Sequence, residues 1–497
     1  MCNSDHQKTP LFDALRRYAD EGTISFHVPG HKHGNGLPEF TQFVGKNVMN
    51  IDLTILPDLD SIYHPTGAIK EAQDLAADAY GAEHAFFLVN GTTSGIQAMV
   101  MSVCREEDEI IVPRNAHKSV IGGIILSGAK PVYVQPQIDD FYGIAKGVEP
   151  ETVARALADH PAAKAVFVIH PTYYGMASNL PKIVEIAHGY GVPVIVDEAH
   201  GAHFPFHPAL PVAAMAAGAD MSAASVHKLA GSMTQSSILL LRSDYIDPKH
   251  VKTILNLTQT TSPSYVLMAS LDVARKQMIL QGEQRISRTL ELSALARQVM
   301  NKINGIRVAG EEMIGTPGCW AYDATKLMIN VRGLGLTGYE AETILRKKHQ
   351  LAFELSDYHN LLAVVSLGDN ENTVGRLIAG IADLAEQCGS KRYAEKAIRL
   401  PATPEMVTLP REAFYSDAKA IDLNCAAGEV SAEMVMAYPP GIPIVCPGER
   451  ITPEIIDHIQ DLKAGRARLQ GPEDPALQQI KVLSRNLFVV QSSIAVG

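Results

Sequence analysis

The sequence predicts an α/β fold built on a mostly parallel seven-stranded sheet, with smaller α/β units toward the C-terminus. Seven short apolar runs recur between about residues 80 and 245: AFFLVN, EIIVP, PVYVQ, AVFVIHP, PVIVDEA, MSAASV and SSILLL. Many of the stretches between them are long enough for a helix, the pattern of parallel strands joined by crossovers. Polar clusters follow several of the runs, namely Asn90-Gly91-Thr92-Thr93-Ser94, Asn115-Ala116-His117, Asp197-Glu198-Ala199-His200 and Ser225-Val226-His227-Lys228. An open parallel sheet gathers its ligand beyond the carboxyl ends of its strands, so four clusters at equivalent ends imply one shared site.

Taken in order, residues 1–60 read as an extended N-terminal arm, because the glycine- and histidine-rich stretch Phe26 to Gly36 lies in a region with few long periodic segments. Residues 61–305 form the large domain, with amphipathic helices expected from Glu149 through Ala158 and from Pro181 through Gly189, and a helical stretch from about residue 264 to Ile303. A second α/β pattern over residues 306–390 contains KLMINVR and LLAVVSLG. Residues 391–497 carry the rigid segment Tyr438-Pro439-Pro440-Gly441-Ile442-Pro443 and read as a separate C-terminal unit.

A chain of 497 residues that is 46% hydrophobic and 20% charged can bury a large core in two to four domains. Its 43 basic and 54 acidic residues give a net charge of −11, which argues against a nucleic-acid or anionic-membrane partner and suits a cationic small molecule. No apolar run approaches the ~20 residues that span a bilayer. The start, MCNSDHQKTP, lacks a basic patch followed by an apolar run, so the cytoplasm is the expected location. The six cysteines are scattered without a Cys-x-x-Cys pair, which indicates neither a disulfide framework nor a zinc site.

The clusters suit pyridoxal phosphate, which needs an amine for its aldehyde, an anion beside its pyridine nitrogen and donors for its phosphate. Lys228 offers the amine. Asp197 ends VPVIVD, where its carboxylate emerges at the sheet edge. Gly91-Thr92-Thr93-Ser94-Gly95 stands between a strand and the helical IQAMVMSV, which puts amides, hydroxyls and a helix N-terminus together. His117 lies just past EIIVPRN, in position for its ring to stack on the pyridine. Singly, such a turn is an ordinary helix cap and such a histidine a surface residue; the weight comes from their convergence.

The run Ala223-Ala224-Ser225-Val226-His227-Lys228-Leu229-Ala230-Gly231-Ser232-Met233-Thr234-Gln235-Ser236-Ser237 resembles the lysine-attachment signature of the ornithine/lysine/arginine decarboxylases, a family of the aspartate-aminotransferase fold, type I. The resemblance extends through FHVPGHKHG, PRNAHKS, HPTYYG, VDEAHG, TTSPSYVLMASLD and YPPGIPIVCPGE. It implies Lys228 as the Schiff-base lysine, Asp197 at the pyridine nitrogen, His117 on the ring and His200 in the cofactor shell. Thr93, Ser94, Ser225 and His227 would hold the phosphate, and Ser262 would reach a partner subunit's cofactor, so a homodimer with shared sites, or a higher oligomer, is expected. Asp197 would keep the ring nitrogen charged, and Lys228 or His227 would return a proton to Cα after carbon dioxide leaves. The short biosynthetic bacterial type is the nearest match, since the chain has no room for the N-terminal wing of the larger enterobacterial members. Arginine giving agmatine is the preferred reaction, with lysine or ornithine as alternatives; Asp357 and Glu433 are candidates for the acid that grips the substrate side chain.

Other readings have a footing. Gly333-Leu334-Gly335-Leu336-Thr337-Gly338 matches the dinucleotide motif of an NAD-dependent oxidoreductase, but Thr337 and Glu340 also read as a helix capping box. His200, His203 and His207 near Asp197, and His27, His31 and His33, suggest a metal, although Pro205 and Pro208 break any helical register and no metal is expected. An aminotransferase or another pyridoxal-dependent lyase would share the fold. A binding module without catalysis leaves the four clusters unexplained.

Overall fold

The computed structural model describes residues 5–388, 401–437, 442–465 and 467–484. Tyr438 to Gly441 of the turn-rich segment, and the expected boundary near Lys391, lie outside the described residues. The central sheet contains β1 (His84–Leu88), β2 (Glu109–Pro113), β3 (Lys130–Val134), β4 (Ala165–Ile169), β5 (Val194–Asp197), β6 (Met221–Ala224) and β7 (Ser237–Leu241). Their order across the sheet is β1-β7-β6-β5-β4-β2-β3. Only β7 runs against its neighbours; the remaining pairs are parallel. The fold class read from the sequence is therefore the one observed, strand for strand.

Both faces of this sheet are covered, which is why its strands read as continuous apolar runs rather than alternating ones. Val166, Val168, Val194 and Val196 join the core on one face, while Phe167, Ile195, Leu239 and Leu241 join the core on the other. Helices occupy Pro150–Asp159 and Leu180–Gly189, close to the expected ranges.

The helix Tyr265–Met300 spans 36 residues, about 54 Å at 1.5 Å per residue. It starts in the main core with Tyr265 and Met268 and ends in a second core with Leu292, Ala296 and Met300. That second core backs an antiparallel sheet of β8 (Arg307–Val308), β9 (Lys326–Asn330), β10 (Leu355–Ser356) and β11 (Asn360–Val364), in the order β8-β9-β11-β10. A further core gathers Leu423, Val435, Val445, Ile455 and Ile480.

The N-terminal stretch is not an extended arm throughout. Pro10–Asp20 is a helix whose Leu11, Ala14, Leu15 and Tyr18 are buried in the main core. Asp272 accepts the Leu11 amide at 3.0 Å, and Arg275 donates to the carbonyls of His6 and Lys8. The spacing i, i+3, i+4, i+7 of those four residues is that of an amphipathic helix, and one such short helix is easily lost beside the polar stretch that follows it.

The dinucleotide-like motif also has a structural explanation. Thr337 caps the helix Gly338–His349 in a capping box with Glu340. A Cβ on Gly333 would lie 2.6 Å from the Gly305 backbone, and one on Gly338 would lie 2.2 Å from the Asn360 carbonyl. These glycines serve close chain packing rather than a phosphate.

Candidate active site

Lys228 lies in the short helix Val226–Leu229, which opens immediately after β6, and Asp197 is the last residue of β5. Adjacent parallel strands thus bring the two together at one sheet edge. Asp197 is buried and its Oδ1 accepts the Ala199 amide at 3.0 Å, while Oδ2 takes no hydrogen bond from the described residues. Burial pushes this carboxyl up, opposed by the Ala199 amide and the charge of Lys228. Burial likewise pushes the Lys228 ammonium down, against the pull of Asp197 and Glu354. Lys228 Nζ stands 2.9 Å from His200 Nε2 and 5.6 Å from the centre of the Tyr173 ring.

His117 is the N-cap of the helix Lys118–Ser127, its Nδ1 accepting the Ser119 amide at 3.2 Å. Burial, with Lys228 and Lys118 nearby, lowers its pKa to about 4 and keeps the ring neutral. His227 lies beside Lys228, and its Nδ1–H donates to the Ser236 carbonyl at 2.8 Å, which leaves Nε2 as the acceptor nitrogen.

The hydroxyl cluster differs in detail from the expected one. Thr92 Oγ1 lies 2.5 Å from Ser225 Oγ and 3.0 Å from Ser237 Oγ, all three residues buried. Thr93 is exposed at the start of the helix Gly91–Val103, and the Ser94 hydroxyl donates back to the Gly91 carbonyl at 2.8 Å. Of the phosphate candidates, Ser225 thus meets Thr92 in the cluster, whereas Ser94 is engaged in its own helix. Thr92 was legible: a helix starting at Gly91 turns it inward with Gly95 and Ile96, at i+3 and i+4. Ser262 is exposed in the single chain, with its amide donating to Thr260 Oγ1, and the described contacts do not join it to Lys228.

Three further residues complete the site. Lys326, fully buried on β9, places Nζ 3.1 Å from His200 Nδ1. Tyr173 packs its ring 4.7 Å from that of His200. Glu354 is exposed, yet its charge acts on Lys228, His227 and Lys326.

The two acids expected to grip a substrate are engaged elsewhere. Asp357 accepts Tyr174 OH at 2.6 Å, the His359 and Asn360 amides and the Asn360 side chain, so it is a turn clamp with its oxygens occupied. Glu433 accepts the Glu473 and Lys481 amides, contacts within the C-terminal unit. The histidines of the metal reading part company: His203 lies 3.3 Å from Asp323, His207 from Ser287 at 3.0 Å, and His31 from Asp52 at 3.1 Å. Among the described residues no three His, Cys, Asp or Glu side chains are grouped to hold a metal ion. No described helix is long and apolar enough to cross a membrane.

A lysine and a carboxylate at neighbouring strand ends of a β1-β7-β6-β5-β4-β2-β3 sheet define a class, and comparison with known proteins agrees with it. The chain belongs to the Orn/Lys/Arg decarboxylase family: the major-domain model matches residues 9–373 and the C-terminal-domain model residues 391–475. Within that family it is similar to the arginine decarboxylase of Bacillus anthracis, 48% identical over 96% of this chain and 97% of the relative. The arginine decarboxylase of Bacillus subtilis (strain 168) is 47% identical over 97% of this chain and 98% of its own. The crystal structure of the Francisella novicida lysine decarboxylase LdcF shares the fold, with a TM-score of 0.83 at 23% identity, over 96% of this chain and 81% of that chain.

Proposed function

We propose that this protein decarboxylates L-arginine to agmatine and carbon dioxide in the cytoplasm, using pyridoxal phosphate held on Lys228. The observation that carries this reading is the meeting of Lys228 and Asp197 at the ends of β6 and β5, in a chain so similar to the Bacillus arginine decarboxylases. The residues present fit the cofactor. A buried carboxylate keeps its charge when a cation stands beside it, and a protonated pyridine nitrogen is such a cation for the open Oδ2 of Asp197. Ser225 and Thr92, with the N-terminus of the helix Gly91–Val103, offer hydroxyls and amides to a phosphate.

When bound, pyridoxal phosphate supplies the electron sink that takes up the pair left as carbon dioxide departs. Asp197 keeps the ring nitrogen protonated. The neutral His117 ring offers a flat, uncharged face, and His227 Nε2 and Lys228 Nζ are the groups placed to hold the proton that returns to Cα. Glu354, at the exposed side of the cluster, supplies the negative charge that a cationic substrate side chain calls for. A homodimer in which Ser262 reaches the neighbouring site belongs to the same reading.

Steady-state assays with arginine, lysine and ornithine side by side test it. Agmatine and carbon dioxide are expected, with arginine preferred in kcat/KM. Cadaverine or putrescine as the main product would overturn the substrate, and a keto acid in place of carbon dioxide would overturn the reaction.

A further inference from the structure

Three chain segments converge on the His200 ring, and one buried carboxylate joins all three. His200 Nε2 lies 2.9 Å from Lys228 Nζ, its Nδ1 lies 3.1 Å from Lys326 Nζ, and its ring centre lies 4.7 Å from that of Tyr173. Lys326 opens β9 in the smaller unit. Tyr173 stands in a tight turn after β4, closed by the Thr172 amide donating to the Met176 carbonyl at 2.9 Å. His200 itself lies in the turn that follows Asp197. Strand geometry alone does not fix how such turns sit against one another.

Asp323 is the carboxylate that joins them. It is fully buried, three residues before Lys326. Its Oδ1 accepts the Thr325 amide and hydroxyl at 3.0 and 2.7 Å, and its carbonyl accepts the Lys326 amide at 3.1 Å, so the turn that presents Lys326 is closed on Asp323. Its own amide donates to the Gly175 carbonyl at 2.8 Å, two residues beyond Tyr173. Gly175 has a φ of +93°, and a Cβ there would lie 2.9 Å from Lys326 Cγ and 3.0 Å from the Asp323 carbonyl oxygen. The Tyr173 turn therefore rests directly on the Lys326 turn. On the third side, Asp323 Oδ2 lies 3.3 Å from Nε2 of the buried His203, three residues after His200. The two atoms are not aligned for a hydrogen bond, so this contact is one of charge and packing. His200 thus meets Lys326 while His203 meets Asp323, two rungs with the same three-residue spacing on both segments. A buried carboxylate is costly, and among the described residues no lysine or arginine pairs with this one within salt-bridge reach.

We propose that Asp323 is a positioning residue for the cofactor lysine: it joins the turns of Tyr173, His203 and Lys326 and so fixes the His200 ring against Lys228 Nζ. A ring fixed in advance need not be ordered when the cofactor arrives, so the cofactor is held more firmly. The proposal rests on the cofactor reading of Lys228, but the placement of His200 can be read without any cofactor.

The test compares Asp323→Ala and His203→Gln with the wild type, as full-length proteins, by two readouts. The first is NMR of the cofactor-free protein labelled with 15N-histidine, with His200 assigned by its loss in His200→Gln. The His200 signals should shift and broaden in both variants, while those of His188, held 2.8 Å from Asp220, stay in place. The second is release of pyridoxal phosphate from the loaded protein, followed by loss of visible absorbance. Release should quicken on the order of tenfold in Asp323→Ala, the size of coupling usual within one contact network. In a His200→Gln background the same substitution should change the rate by less than about twofold, because the ring it positions is gone. Equal acceleration with and without His200 would make Asp323 merely structural and overturn the proposal, as would His200 signals unmoved in the variants. Should Asp323→Ala fail to fold, His203→Gln, which leaves the bonds between Thr325 and Asp323 in place, carries both readouts. A wild-type protein that captures no pyridoxal phosphate would overturn the cofactor reading instead, and the NMR comparison would still decide whether Asp323 sets His200.

Discussion

Lys228, Asp197 and His117 were legible because each stands at, or within four residues of, the carboxyl end of an apolar strand, and strand ends gather at one edge of the sheet. Lys326 and Glu354 were not, because their link to the site is tertiary. Lys326 meets His200 across 126 residues of chain, and a lysine inside the strand KLMIN looks like any residue of an α/β pattern. Asp357 misled for the opposite reason: it is acidic and lies in a family-like stretch, but a turn, Tyr174 and Asn360 occupy its oxygens. At this scale Glu354→Gln should raise KM for arginine about fivefold with kcat nearly unchanged, the worth of roughly 1 kcal/mol for a solvent-accessible ion pair. Steady-state kinetics check this. A collapse of kcat at constant KM would place Glu354 in the chemistry rather than in substrate binding.

Elements, more than single contacts, hold the site in register. The helix Gly91–Val103 packs so closely on the sheet that a Cβ on Gly95 would lie 2.6 Å from Leu88 Cδ1 and 3.2 Å from Ala223 Cβ. Glycine there lets the helix N-terminus sit against β1 and β6. On the other side, Arg114 follows β2 and leads into the His117 cap. Its guanidinium lies 4.7 Å from the centre of the Tyr133 ring and bonds both oxygens of Glu449, which also accepts the Cys446 amide. The side chains of Arg114 and Glu449 are 11% and 2% exposed, so the pair is a buried latch between the C-terminal unit and the loop that carries His117. Glu449→Ala leaves a buried guanidinium without its anion and should lower stability by about 3–5 kcal/mol. Denaturant unfolding checks it, and a loss below about 1 kcal/mol would contradict the latch. Sequence reading could not pair these residues, because 335 positions separate them. The seven strands were readable because their apolar runs follow from burial on both faces.

For the whole molecule, we propose unit boundaries near residues 305 and 390, a division supported by separate cores around β9 and around Ile455. The boundary read near residue 60 has no core of its own on its N-terminal side, since Leu11 and Leu15 belong to the main cluster. The helix Tyr265–Met300 contributes to both of the first two cores and ties the units into one frame. That frame is what brings β9, and with it Lys326, against the strand ends of the central sheet. Two amines, Lys228 and Lys326, consequently stand on either side of one histidine, and only one of them should carry the cofactor. Borohydride reduction of the pyridoxal phosphate-loaded protein, followed by digestion and mass spectrometry, separates them: the pyridoxyl group should be found on the peptide containing Lys228, and its appearance on Lys326, or on neither lysine, would contradict the account.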